Sequence, residues 1–386
     1  MCELGLAQNA GPPDPNRSDQ AHRHDALRTH MWPISRQELK TTWRRMHVRL
    51  TRAIRRMITP PLGSDAMRAA QVLTLDGPGS VAVGEVAEPP GGQVVIDVDY
   101  AGVTFPDVLL TRGEYQIKPP PPFIPGSEVS GIVRSAPEGT LFTAGDRVAA
   151  FPGLGGFAEV VTADPRMVFA LPSQVSLEAG AVLPMNYLTV DFALVRRGQL
   201  QAGETVLVQG AAGGVGTAAI QVAKALGARV IAVVSDDTKA EVATRAGADE
   251  TVPADGFRAA VGDLTSGRGV DLVVDPVGGD RFTDSLRCLA PEGRLLVIGF
   301  TAGEIPTVKV NRLLLNNISV VGVGWGAYWL ARPEYLQEQW SRLLPMLRDG
   351  ALQPLIGAVH PLEEVSEALA ALDGRTATGK VLLKMR

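Results

Sequence analysis

Glycines at 210, 213, 214 and 216 are the residues whose type and spacing most directly imply chemistry. They follow an apolar run, Val206 to Val208, and precede apolar residues at 215, 218, 219, 222, 223 and 226, the spacing of one helix face. Strand, tight glycine turn and helix together make a cradle for an anion. Glycine lets the backbone turn sharply and approach closely, and the helix N-terminus offers free N–H groups and the positive end of a dipole. Gly210, Ala212, Gly213, Gly214, Val215 and Gly216 are therefore the expected seat of a dinucleotide pyrophosphate.

Few other reactive side chains compete for attention. The only cysteines are Cys2 and Cys288, so there is no disulfide framework, and a reducing, cytoplasmic setting is expected. Four of the five histidines, His22, His24, His30 and His47, fall in the first 66 residues, leaving His360 alone in the rest. A zinc site built from Cys and His is nearly excluded there. No apolar run approaches the length of a membrane span.

The elements that position the turn can be read in order. With 386 residues, 45% hydrophobic and 20% charged, the chain has enough material for two or three domains with full cores. Residues 1–66 carry 11 of the 37 basic and 6 of the 41 acidic side chains, net +5. The remainder is at −9, which argues against non-specific nucleic-acid binding by the folded body. Residues 1–30 are polar and expected to be disordered. Over 32–58, Leu39, Trp43, Met46, Leu50 and Ile54 recur at helical spacing among arginines. That pattern suits a basic helix touching a membrane surface or a partner, or upstream sequence read from a start codon placed too early. From Met67 to about 163, six strand-like runs alternate with Gly and Pro. A helical pattern over about 176–198, interrupted by Pro184, leads into alternating strands and helices from 204 to 299, a doubly wound parallel unit. A strand at 318–323, a helix near 333–348 and a last β/α/β stretch close the chain.

The stretch from Met67 to Arg386 resembles the medium-chain dehydrogenase/reductase superfamily, most closely its zinc-independent quinone oxidoreductase (zeta-crystallin-like) branch. The resemblance rests on Ala101-Gly-Val-Thr-Phe-Pro-Asp107, Arg112-Gly-Glu-Tyr115, Pro125-Gly-Ser-Glu128, Ala144-Gly-Asp-Arg-Val148, Gly155-Gly-Phe-Ala-Glu159, Gly210 to Gly216 and Thr378-Gly-Lys-Val381. It implies an α/β fold, with a β-rich GroES-like catalytic domain (67–188 and 325–386) and an inserted Rossmann doubly wound parallel sheet (189–324). Zinc-dependent relatives place Cys where this chain has Thr104 and His where it has Ser127, with a third ligand near Asn186. No zinc is therefore expected, and alcohol oxidation is disfavoured without a Lewis acid. A quinone or enone delocalises its own negative charge and needs little beyond hydride delivery.

The resemblance also implies roles. The second strand of the nucleotide unit reads Val230-Ile-Ala-Val-Val-Ser235, with Val234 where an NAD enzyme would carry an acid. Ser235 and Lys239 match positions that meet the 2′-phosphate in NADPH-using relatives, so NADPH is expected over NADH, although Asp236 and Asp237 are acidic neighbours. Tyr115 and Thr104 are the expected catalytic residues, and Asp107 is expected to cap the short helix that follows it. Asn186 and Thr189 are expected at the nicotinamide carboxamide. Ile298, Gly299, Phe300, Val323, Gly324 and Trp325 are expected to line the cofactor, with Trp325 and Tyr328 forming either an aromatic wall or an interface cluster. The implied activity is NADPH-dependent reduction of a quinone or similar conjugated acceptor. The alternatives are reduction of a 2-enoyl thioester or an α,β-unsaturated ketone, or a non-catalytic NADPH-binding protein. A homodimer joined through edge strands near 308–323 is also implied.

Overall fold

The structure, a computed structural model, describes residues 66–386. The readings made for residues 1–65, including the basic helix over 32–58, lie outside the described residues. Among the described residues seven strands come first: β1 (Ala66–Val72), β2 (Val81–Ala87), β3 (Val94–Val103), β4 (Glu128–Ser135), β5 (Arg147–Ala150), β6 (Val160–Ala163) and β7 (Val168–Ala170). Six follow in the nucleotide unit: β8 (Thr205–Val208), β9 (Arg229–Val234), β10 (Glu250–Pro253), β11 (Val270–Asp275), β12 (Leu289–Val297) and β13 (Ser319–Gly322). Two more, β14 (Ile356–Pro361) and β15 (Lys380–Lys384), return the chain to its start.

β3 is the axis of the first unit. It pairs antiparallel with β4, β6 and β15, so the C-terminal strands complete a sheet begun about 280 residues earlier, with the order β14-β15-β3-β4-β5-β7. The second sheet is wholly parallel, in the order β10-β9-β8-β11-β12-β13. The winding reverses between β8 and β11, the place where open α/β sheets bind ligands beyond their strand ends. All four residues of β8 are buried, as expected of a strand covered by helices on both faces.

Helical turns run from 183 to 197, with wide π-type turns over Leu183–Tyr187 and Phe192–Arg197 around a regular segment, Leu188–Asp191. Pro184 lies in the first turn rather than interrupting a longer helix, since a proline there forfeits no bond. The break falls just before it, after the short helix Leu177–Gly180. This hinge helix packs in one core with the parallel sheet and the helix Gly214–Ala225. β12 begins at Leu289, where a register shift against β11 and Glu292 at φ +65° mark an irregular entry. Two short helices, Asn311–Asn316 and Trp325–Trp329, are additions to the sequence reading. Among the described residues no helix is long and apolar enough to cross a membrane.

Candidate active site

The glycine turn closes directly over the end of β8. Gln209 donates its backbone N–H to Val274 of β11 (3.0 Å), Gly210 adopts φ +58°, and Gly213 N donates back to Gly210 O (3.1 Å). The helix Gly214–Ala225 then starts from Gly213 with no side-chain cap. The first N–H groups of a helix have no intrahelical acceptor, so they are left facing the crevice for an anion. Gly216 is required by contact: a Cβ there would lie 2.3 Å from Gly210 O. At Gly214 a Cβ would lie 2.6 Å from Asn186 Nδ2, which brings the hinge helix and the cradle together at the residue expected to meet the nicotinamide. Ala212 is buried, Val215 half-buried, and Ala212 O accepts a bond from Gly379 N (2.7 Å), tying the returning C-terminal segment to the turn.

At the end of β9 the side chains form one small polar cluster. Lys239 Nζ donates to Ser235 Oγ (2.8 Å), and Ser235 Oγ donates to Asp236 Oδ2 (2.9 Å). Asp236 also caps the helix Asp237–Arg245 by accepting from Lys239 N (2.9 Å) and pairs with the Lys239 ammonium at 3.2 Å. Lys239's backbone N–H first, then the Ser235 hydroxyl and the Lys239 side chain, hold its carboxyl below the usual range. Asp236 thus has a structural task, and it holds the two groups expected to meet a 2′-phosphate close to each other.

Across the crevice, Thr104 and Asp107 form a reciprocal N-terminal cap for the helix Phe105–Thr111. Asp107 Oδ2 accepts from Thr104 N (2.8 Å) and from Thr104 Oγ1 (2.5 Å), and Oδ1 accepts from Gly126 N (3.1 Å). Asp107 is fully buried, and burial pushes its carboxyl up against the pull of these bonds. The Thr104 hydroxyl proton is therefore committed to the cap. Two residues beyond Gly126, Glu128 is also fully buried, with Oε2 accepting from Met185 N at the start of the hinge helix (2.7 Å) and Oε1 paired with the buried ammonium of Lys380. Burial drives the Glu128 carboxyl up, with Lys380 opposing. Two polar atoms in this mesh have no partner among the described residues: Ser127 Oγ and Asn186 Nδ2, on residues only 5% and 4% exposed. Tyr115 is half-buried against the apolar core beside the cap; burial first, then Asp107, raise its phenol pKa.

Thr189 is half-buried one turn along the hinge helix. Ile298, whose N–H bonds Asp275 O (2.9 Å), and Gly299 are half-buried where β12 ends, and Phe300 is exposed. Val323 is buried and Gly324 exposed beyond β13. Trp325 turns inward: its indole N–H donates to Gln339 (2.9 Å), and its ring packs on Phe151 and Trp329 at 5.1 and 5.9 Å. Tyr328 belongs to a different cluster, with Phe192 at 5.1 Å and the guanidinium groups of Arg196 and Arg332 at 4.5 and 4.7 Å from its ring. The two rings therefore do not form a single wall; each is taken up by interface packing. Glu128 and Lys380 had no role in the sequence reading. Their signal was a charged residue at the edge of an apolar strand in both Glu128–Ser135 and Lys380–Lys384.

Comparison with known proteins agrees with this fold. Residues 90–173 match the alcohol dehydrogenase GroES-like domain, and residues 214–349 match the family described as zinc-binding dehydrogenase. The chain is 41% identical to quinone oxidoreductase-like protein 2 of Bos taurus over 298 residues, covering 76% of this chain and 85% of the relative. A probable oxidoreductase of Mycobacterium abscessus superposes with a TM-score of 0.77 at 46% identity, over 84% of this chain and all of that one. The quinone oxidoreductase of Thermus thermophilus, solved also in complex with NADPH, does so with a TM-score of 0.71 at 37% identity, over 83% of this chain and all of that one. The parallel sheet with its glycine turn, the β-rich unit completed by the C-terminal strands and these matches lead to one conclusion: the chain is an oxidoreductase belonging to the quinone oxidoreductase branch of the medium-chain dehydrogenase/reductase superfamily.

Proposed function

We propose that the protein uses NADPH to reduce a quinone or a similarly conjugated acceptor, without a metal. The observation that carries this reading is a donor set with no group suited to a metal. Positions 104, 127 and 186 offer two hydroxyls and an amide, and the nearby carboxylates Asp107 and Glu128 are each engaged on both oxygens. No thiolate or imidazole is present among these residues, so they do not suit zinc. The match to a zinc-binding dehydrogenase model covers 214–349, a stretch that contains none of the three positions. NADPH suits the chain's own residues: the uncapped helix start for its pyrophosphate, and Ser235 with Lys239 for its 2′-phosphate. When bound it would supply hydride at its nicotinamide. Asn186 would orient that end of the cofactor, and Tyr115, kept protonated by burial, would hold a proton for the reduced acceptor. We further propose 67–188 with 325–386 as the catalytic domain and 189–324 as the nucleotide domain. Homodimerisation is proposed along the edge strand β13, beside the exposed Ile305, Val310, Leu314 and Leu315.

A second reading, reduction of a 2-enoyl thioester, draws on one feature. Arg196 and Arg332 are exposed and flank Tyr328, a local basic patch on an otherwise acidic body that would suit a phosphate-bearing handle. One experiment separates the readings: oxidation of NADPH and NADH by the purified full chain with a benzoquinone, a simple enone and a short enoyl-CoA, with metal content measured in parallel. Turnover of the quinone with NADPH is expected. Stoichiometric zinc or a strong NADH preference would overturn the assignment, and the enoyl-CoA as best acceptor would favour the second reading.

A further inference from the structure

We infer that Glu128 is a positioning residue for the cofactor turn: with Lys380 it fixes the two segments that grip the turn, and so sets the turn's affinity for NADPH. The inference rests on the reading of the glycine turn as the NADPH seat. One carboxylate serves both segments. Oε1 pairs with the Lys380 ammonium of the returning C-terminal segment, and Oε2 accepts from Met185 N at the start of the hinge helix (2.7 Å). Neither charge reaches solvent, with the two side chains 0% and 4% exposed. The route between them is built into the sheet. Glu128 is on β4 and Lys380 on β15, with β3 between them. Gly102 of β3 pairs with Glu128 on one side and with Leu382 on the other. A Cβ at 102 would lie 2.6 Å from Glu128 Oε1, so the intervening strand leaves room for the carboxylate to cross it.

Each segment meets the turn directly. Gly379 N donates to Ala212 O (2.7 Å), and Gly379 forms a parallel bridge with Gly213. Among the described residues, no residue outside 189–324 other than Gly379 is hydrogen-bonded to residues 210–216. Gly379 has no slack: it adopts φ +63°, a Cβ there would lie 2.8 Å from Leu355 O, and the next peptide is held by Lys380 N donating to the same oxygen (2.9 Å). From the other direction Asn186 lies against Gly214, its Nδ2 only 2.6 Å from where a Cβ would stand. The turn is thus gripped at Ala212 and at Gly214 by segments anchored on one carboxylate. A buried ion pair returns little net stability, because desolvating two charges costs about what their attraction gives back. Folding alone therefore gives weak reason for a charged pair here. Holding two distant segments in one register against a backbone site does, since such a site binds only at its correct shape.

The test separates positioning from stability by uncoupling them in the full chain. Glu128→Leu/Lys380→Met replaces the pair with apolar groups, so its melting temperature should return toward that of the parent. Its NADPH dissociation constant, read by fluorescence titration, should nonetheless stay about tenfold above the parent's, because Met185 N and the 379–380 segment have lost their common anchor. The KM for 1,4-benzoquinone at saturating NADPH should remain within about twofold. Gly379→Ala reaches the same end with the pair intact, and should also weaken NADPH binding by about tenfold. A double variant whose NADPH affinity returns with its stability overturns the inference. So does a Gly379→Ala protein with parental affinity, or a benzoquinone KM that rises in step with the NADPH dissociation constant. Gly216→Ala is the control for the underlying reading. If it binds NADPH as the parent does, the turn is not the cofactor seat and both readings fall. If it loses NADPH while the double variant keeps it, only this inference falls.

Discussion

The two sides of the crevice are built from different materials. The cofactor side is backbone: a turn held by Gly210 and Gly216, an uncapped helix start and no charged side chain within the turn itself. The acceptor side is side chain: Asp107, Glu128 and Lys380, all buried and bonded to one another's segments. A backbone site tolerates no added atom where it is tightest, at Gly214 and Gly216, because its geometry is the binding surface. A side-chain mesh tolerates exchange of groups that keep its charge balance. The contrast predicts how each side fails.

The largest effect is expected at Gly216. Its replacement by alanine puts a carbon 2.3 Å from Gly210 O, so the turn must open. A displacement on that scale should weaken NADPH binding by about 100-fold. Titration of the Gly216→Ala protein with NADPH checks this, and a parental dissociation constant would show that the turn is not the cofactor seat. Next comes Lys380→Met, which leaves the fully buried Glu128 without its counter-ion. Removing one partner of a buried pair costs about 3–5 kcal/mol, whereas replacing both with apolar residues costs far less. The double variant Glu128→Leu/Lys380→Met should therefore recover much of the stability lost by the single one. Urea unfolding of both proteins measures it, and simple additivity would mean that the two charges do not act as a unit.

The same contrast explains what was legible in the sequence. The glycine turn, β8 through β13 and the helices between them, Asn311–Asn316 excepted, were readable because backbone sites are written in residue types at fixed spacing, and buried parallel strands show as apolar runs. A capping role for Asp107 was readable, but not its place: it lies inside the helix it caps, three residues after Thr104, rather than ahead of it. The Glu128–Lys380 pair was not, since its members are 252 positions apart and only the return of β15 to β3 brings them together. The inward turn of Trp325 was equally hidden. Its indole is held by Gln339, which in turn bonds Leu188 O and Asp191 on the hinge helix, a network that no local pattern announces. The Pro184 break was displaced by a few residues because proline marks both the interruption of a helix and its first turn.

A smaller effect sharpens the cofactor side, where charge rather than shape is at stake. Lys239→Ala removes a cation that a 2′-phosphate would use, so NADPH affinity should drop about tenfold while NADH affinity stays level. Asp236→Asn tests the neighbour that occupies both groups. Asparagine still caps the helix, but without the negative charge, and NADPH should bind more tightly. Parallel titrations with the two cofactors decide it. Equal losses for both in Lys239→Ala would remove the 2′-phosphate from this cluster.

The smallest expected effect is on the acceptor side, and it is a flat line. Burial first, then the Asp107 carboxylate, raise the Tyr115 phenol above its ordinary value. The unfolded chain titrates this group near about 10, so the protonated phenol contributes its stability fully below that pH and loses it as pH rises through the higher folded value. A proton held there remains available across the whole neutral range. His360, the one histidine among the described residues, is engaged with Glu364 at 2.9 Å on the returning strand, away from the cap. If the phenol delivers the proton, kcat/KM for benzoquinone should be level between about pH 6 and 9 and decline only above about 10. A limb between 6 and 7 in the pH–rate profile would mean that some other group delivers the proton. A limb near 8 that disappears in Tyr115→Phe would mean that the phenol meets a positive field strong enough to reverse the effect of its burial.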